Sequence, residues 1–209
     1  GVQTCALPIW AQNPPIANYP YENMGQTWSQ PELGQINVGG IRTPVIIFAG
    51  GYDDKYDDAD QVDNNVVDKG SAVYIVDAMT GKLLWWTSSS TWNTGVYPTG
   101  YRRQADMKFS IPSNVKVLDL NSDGLTDRLY VADLAGQIFR IDLDNAEEPQ
   151  LDTMTSSPSF GEVTVMAKLG RTGTISSNRN RRFFDPPSVS FSACGKVNVA
   201  IVSGDRPRP

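Results

Sequence analysis

Apolar residues in this chain fall in short runs separated by polar turns, with no stretch that keeps a helical period for more than about two turns. Residues 43–49, TPVIIFA, form a buried-strand candidate that stops at Gly50-Gly51. Residues 70–86, GSAVYIVDAMTGKLLWW, read as a hairpin. Two runs rich in β-branched and aromatic residues flank the polar turn Asp77-Ala78-Met79-Thr80-Gly81. Gly81 supplies the positive φ that such a turn commonly needs. About 55 residues later the same pattern returns in DRLYVADLAGQIFRIDL, residues 127–143. Tyr74-Ile75-Val76-Asp77 aligns with Tyr130-Val131-Ala132-Asp133, and Gly81 with Gly136. A fainter copy begins at KVNVAIVSGD near the end.

An internal repeat of strand, Asp, Gly turn and strand predicts an all-β chain, with hairpins at about 72–86 and 128–142. Short antiparallel strands at this period point to propeller blades or a sandwich, and the hairpin repeat favours blades. The expectation is therefore a partial β-propeller, three or four antiparallel blades of an incomplete ring. Residues 11–40, rich in Pro, Asn, Gln and Gly, read as loop or short edge strands. The insert YDDKYDDADQVDNNVVDKG carries seven Asp against two Lys and reads as largely exposed.

The composition is compatible with a folded core: 209 residues, 40% hydrophobic and 20% charged. A net charge of -5 argues against wholesale wrapping of nucleic acid, because phosphate would be repelled. Histidine is absent, which closes Ser-His-Asp, Cys-His and His-zinc chemistry to this chain on its own. No apolar run is long enough to span a membrane as a helix. No signal peptide is visible, and both ends read as cuts through a larger protein. The opening GVQTCALPI resembles the translation of a sequencing adapter, so residues 1–9 are expected to be non-native and 10–209 to be a fragment of one domain. On that reading Cys194 has no disulfide partner in Cys5.

The sharpest local motif is DLNSDGLTD, residues 119–127. Asp119, Asn121, Asp123 and Asp127 stand at loop positions 1, 3, 5 and 9, Gly124 at position 6, and the carbonyl of Leu125 at position 7. Calcium takes six to eight oxygens at about 2.3–2.6 Å, and this spacing wraps oxygens around one point. Position 12 is Tyr130 rather than a bidentate Glu. The motif is thus an EF-hand-like loop set between strands, with affinity expected at about 10⁻⁶ to 10⁻³ M. The alternative is an acidic turn held by Asx hydrogen bonds without metal.

Other candidates read as structural. Asp53, Asp57, Asp58 and Asp60 fit no specific cage, and a solvated face is the expectation. Trp85 and Trp86 should face opposite sides of a strand. Arg179, Arg181 and Arg182 beside Phe183, Phe184 and Asp185 favour internal ion pairing over nucleic-acid binding. Asp77 and Asp133 should cap their turns.

From about Asn18 onward the chain resembles the C-terminal β-propeller of the PilY1-type type IV pilus biogenesis and adhesion proteins. The matching pieces are MGQTWSQP, PVIIFAGGYD, KGSAVYIVDAMTGKLLWW, VKVLDLNSDGLTDRLYVADLAGQIFRIDL and NRRFFDPPSVS. The resemblance implies a modified, quinoprotein-like propeller and a non-enzymatic role in pilus extension, twitching motility and surface attachment. It also implies a Ca²⁺ site at Asp119, Asn121, Asp123, Leu125 through its carbonyl, and Asp127. The implied partners are other domains of the parent, minor pilins or the pilus tip, and host or abiotic surfaces. The implied location is the pilus tip, cell surface or outer membrane of a Gram-negative bacterium. Two rivals stand beside it: a pyrroloquinoline quinone-type dehydrogenase fragment, since VDAMTGKLLWW also looks like that repeat, and a calcium-stabilised adhesion protein unrelated to pili.

Overall fold

The computed structural model describes residues 21, 24–58, 67–90, 100–153, 157–170 and 181–204; residues 1–9, Cys5, Asp60 and Arg179 lie outside them. The described residues form strands in three sheets. The first sheet holds β1 (Glu32–Val38), β2 (Ile41–Ala49), β3 (Ala72–Asp77), β4 (Leu83–Ser88) and β5 (Tyr101–Arg103), in that spatial order. The second holds β6 (Lys116–Leu118), β7 (Arg128–Ala132), β8 (Gln137–Leu143) and β9 (Gly161–Lys168). The third is a lone hairpin, β10 (Ser188–Phe191) with β11 (Val197–Ala200). A short helix, α1 (Lys55–Asp58), stands in the acidic insert.

The all-β expectation is met, and both halves of the repeat are hairpins, β3–β4 and β7–β8. The propeller expectation is overturned. The strands make discrete sheets of five, four and two, neither closed nor curled into a ring, and β4 and β5 run parallel rather than antiparallel. The repeat encodes hairpins, and a hairpin with one apolar face can join any layered arrangement. What sets the layers is the shared core. Val45, Ile47, Val73, Ile75 and Trp85 from the first sheet pack with Leu129, Val131, Phe139 and Ile141 from the second.

Burial patterns follow from what covers each strand. All of β3 except Asp77 is buried, because its second face carries another apolar layer with Tyr74, Trp86, Phe48 and Tyr101. β9 alternates more openly, as a sheet-edge strand with one wet face does. Trp85 and Trp86 divide as expected, one in the core between the sheets and one in the outer layer. The indole N–H of Trp85 donates to Asp152 at 2.9 Å, and Asp152 also accepts from the Gly161 backbone at 2.9 Å. This ties the segment before β9 to the first sheet.

The acidic insert departs from the expected exposed run. Its middle lies outside the described residues, but its two ends are buried: Asp53, Tyr56 and Asp68 are all below 8% exposed. Arg182 is likewise buried, with its guanidinium over the Tyr56 ring at 5.2 Å from the centroid. Cys194 is exposed and, among the described residues, has no disulfide partner.

Candidate metal centre

Residues 119–127 connect β6 to β7. The pairing of Leu118 with Arg128, and the bond from the Asp127 N–H to the Leu118 carbonyl at 2.9 Å, close the loop at its base. Within the loop the acidic and amide oxygens point at backbone donors. Asp119 accepts from the N–H of Ser122 at 2.7 Å and of Gly124 at 2.8 Å. Asn121 Oδ1 accepts from Asp123 at 2.9 Å, and Asp123 Oδ1 from Leu125 at 2.7 Å. Asp127 Oδ2 accepts from Leu120 at 2.7 Å. These bonds wind the chain tightly, and Gly124 takes φ 89°, a left-handed value that disfavours a side chain. Ser122, at φ 62°, shares that conformation.

The fold thus brings Asp119, Asn121, Asp123, Leu125 and Asp127 into one exposed turn, with the Asn121 amide also reaching Asp123 Oδ2 at 3.2 Å. The donors are all oxygens, the class that a hard cation takes, and each carboxylate oxygen keeps a lone pair beyond its backbone bond. Among the described residues, no three acidic, Cys or His side chains converge closely enough to hold an ion as they stand.

Long-range contacts anchor this loop to the first sheet, and sequence reading missed all of them. Thr126 pairs with the edge of β1: its N–H donates to the Gln35 carbonyl at 2.7 Å, and its hydroxyl accepts from the Gln35 N–H at 3.4 Å. Asn145 accepts from the Asn37 N–H at 3.0 Å and donates to the Thr126 carbonyl at 3.0 Å. Arg42 Nη1 donates to the Asp123 carbonyl at 2.6 Å. Partners separated by 81–108 positions in sequence leave no local signal.

A second polar cluster lies at the buried ends of the acidic insert. The Tyr56 hydroxyl and the Lys55 ammonium both bond Asp68, whose carboxylate also accepts from the Ser110 N–H at 3.4 Å. Burial pushes the Asp68 carboxyl up, against the bonds from Lys55 and Tyr56. Burial first, and then the Asp68 charge, pushes the Tyr56 hydroxyl up. Asp133 is pushed up to about 7, chiefly by burial, against hydrogen bonds from Gln137 and Ala135. Asp77 and Asp133 cap their turns as the repeat predicts.

Two discrete, largely antiparallel sheets sharing one core, with an acidic loop at their seam, define the class of molecule. No protein-family model matches the chain. A type IV pilus biogenesis factor PilY1 homolog of Xylella fastidiosa is 28% identical over 129 residues, which is 62% of this chain and 7% of that relative. The crystal structure of the Pseudomonas aeruginosa PilY1 C-terminal domain superposes with a TM-score of 0.50 at 20% identity, over 88% of this chain and 33% of that one. The chain is thus distantly related to the PilY1 type over part of its length, and it spans a small part of the Xylella relative. Among the described residues, no helix is long and apolar enough to cross a membrane.

Proposed function

We propose that this chain is a non-enzymatic, calcium-binding module of a type IV pilus biogenesis and adhesion protein, acting at the pilus tip or cell surface. The observation that carries the calcium half is the Asp119–Asp127 turn, an exposed turn rich in side-chain oxygens and wound by its own backbone N–H groups. A divalent ion there would relieve repulsion among Asp119, Asp123 and Asp127. Those three, with Asn121 and the Leu125 carbonyl, would hold it. The distant likeness to a PilY1 homolog supports the pilus half. The other domains of the parent and minor pilins are the partners this reading implies, together with the surfaces to which pili attach.

Calorimetric titration of calcium into the wild type and Asp123→Ala tests the site. The substitution deletes one ligand and one unit of compensating charge, so affinity should fall by about tenfold or more. Calcium should also stabilise the wild type by about 2.7 kcal/mol at 100 times Kd, provided the unfolded chain does not bind. Magnesium should substitute poorly, since it dehydrates reluctantly and prefers fewer protein ligands. Identical titrations for the two proteins would leave an ordinary acidic turn. For the pilus half, the same substitution in the full-length parent should alter piliation or twitching, and unchanged behaviour would sink that half.

A further inference from the structure

Asp133 closes β7 and is fully buried. Its carboxylate accepts from N–H donors: the backbones of Ala135 at 3.0 Å and Gln137 at 2.8 Å, and Nε2 of Gln137 at 2.7 Å. The same Nε2 donates to the Asp106 carbonyl at 2.9 Å, in the segment that follows β5. Gln137 therefore links the second sheet to the connection leaving the first. An amide nitrogen can make both bonds only while Asp133 presents an acceptor.

We propose that Asp133 and Gln137 form a proton-operated tie between the two sheets. Uptake of a proton from solvent by the Asp133 carboxylate turns the Gln137 amide over. Its oxygen then accepts the new O–H, and its bond to the Asp106 carbonyl is lost. Both backbone N–H groups bond Asp133 Oδ1, and the Gln137 side chain alone bonds Oδ2, so turning that amide gives an O–H on Oδ2 an acceptor within the tie. After the turn, two oxygens, from Gln137 and Asp106, face each other where a hydrogen bond stood. That contact is repulsive and loosens the connection.

The surroundings make the proton available to this group. Asp68 lies one residue away through Ser110, whose N–H reaches Asp68 while its carbonyl accepts from Leu134 at 3.0 Å. The cations at this junction are engaged elsewhere: Lys55 pairs with Asp68, Arg182 covers the Tyr56 ring, and Lys168 pairs with the Asp106 carboxylate at 2.8 Å. Asp53, the remaining carboxylate of the cluster, accepts from the Lys55 and Lys69 N–H groups. Among the described residues Asp133 has no salt-bridge partner. Burial, with the Asp68 charge adding to it, outweighs the three N–H donors and sets the transition at about pH 7.

Nuclear magnetic resonance of the whole chain reads both ends of the tie. The Asp133 side-chain carboxyl carbon should titrate with a midpoint at about 7, and the Gln137 amide protons should move in the same transition. Asp68→Asn removes the neighbouring charge and should lower the midpoint at both positions. Asp133→Asn imitates the protonated form, so its Gln137 amide should hold the acidic position at every pH. A wild-type Asp133 carbon that stays ionised from about pH 5 to 9 overturns the proposal. So does a Gln137 signal that ignores the Asp133 transition. Both of these readings come from the wild type, so they decide the matter even if a variant fails to fold.

Discussion

The turns at Asp77 and Asp133 occupy equivalent places in the repeat, and they are built alike. Each aspartate N–H pairs with the carbonyl across the turn, Lys82 at 2.8 Å for Asp77 and Gln137 at 3.0 Å for Asp133. Each carboxylate takes two backbone N–H groups of its own turn. Their charges nevertheless behave in opposite ways. Asp77 is only partly buried, so its desolvation is outweighed by the Thr80 and Met79 bonds and its carboxyl is held below the usual range. Asp133 is sealed, with the Phe183 N–H on its carbonyl at 3.3 Å and the Ser110 carbonyl on its neighbour Leu134. Its carboxyl is driven up. Similar backbone hydrogen bonding within the turn therefore leaves the sign of a titration to whatever covers it.

The largest expected effect lies in the pH dependence of stability. A folded value of about 7 for Asp133, against an unfolded value near 3.8, means the unfolded chain gives up this proton first. Its contribution is therefore most favourable below pH ~4, declines as pH rises, and reaches a cost of about 4 kcal/mol above pH ~7. Urea unfolding across that range should show the decline, and Asp133→Asn should make it shallower. Asp77→Asn should leave the decline in place. If both variants flatten it equally, the contrast between the turns is lost.

Next in size is the response to filling the two turn glycines. Gly81 and Gly136 have φ of 76° and 78°, so alanine at either is strained by about 1 kcal/mol. At Gly136 the added carbon would also lie 2.5 Å from the Gly170 nitrogen and 2.7 Å from the Arg181 carbonyl, both backbone atoms that cannot swing aside. We expect Gly136→Ala to cost about 3 kcal/mol and Gly81→Ala about 1. Equal melting temperatures for the two variants would show that the cover over the second turn yields easily.

The smallest effect belongs to the exposed cap itself. Asp77→Ala removes two charge-assisted bonds at a solvated site and should cost about 1 kcal/mol or less at neutral pH. Because the folded carboxyl is held low, that contribution is present above pH ~4 and fades as pH falls through the folded value. The stability difference between wild type and variant should close in acid. A constant difference would move the effect from the charge to the turn geometry.

The outer faces of the two sheets repeat the lesson with larger side chains. Tyr74 lies opposite Trp86, ring over ring at 6.2 Å, inside an apolar layer. Its repeat partner Tyr130 lies opposite Arg140, on a face where Arg128 and Arg140 both pair with Asp142 at 2.5 and 2.7 Å. Alternation made the strands legible in both places, since inward Val, Ile and Leu mark one face wherever a strand is half-buried. The acidic loop was legible as well, because its turn is made by residues two to five positions apart. Arg42, Thr126 and Asn145 were not, for they meet their partners across the seam.

Local order was thus written in the sequence alone. Hairpins with Gly turns, strands with one apolar face, two capping aspartates and a tightly wound acidic loop all arise from contacts within a few residues. The arrangement of the sheets was decided only by tertiary packing, because an apolar face specifies that it must be covered and not what covers it. The same repeat that predicted blades in a ring is equally served by two sheets closing on Trp85, Phe139 and their neighbours. Tertiary structure likewise made Asp53 and Asp68 buried ends of an insert that reads as solvated, and gave Asp133 a charge state opposite to that of its twin. Desolvation depends on everything within several ångströms, and most of those neighbours come from distant parts of the chain.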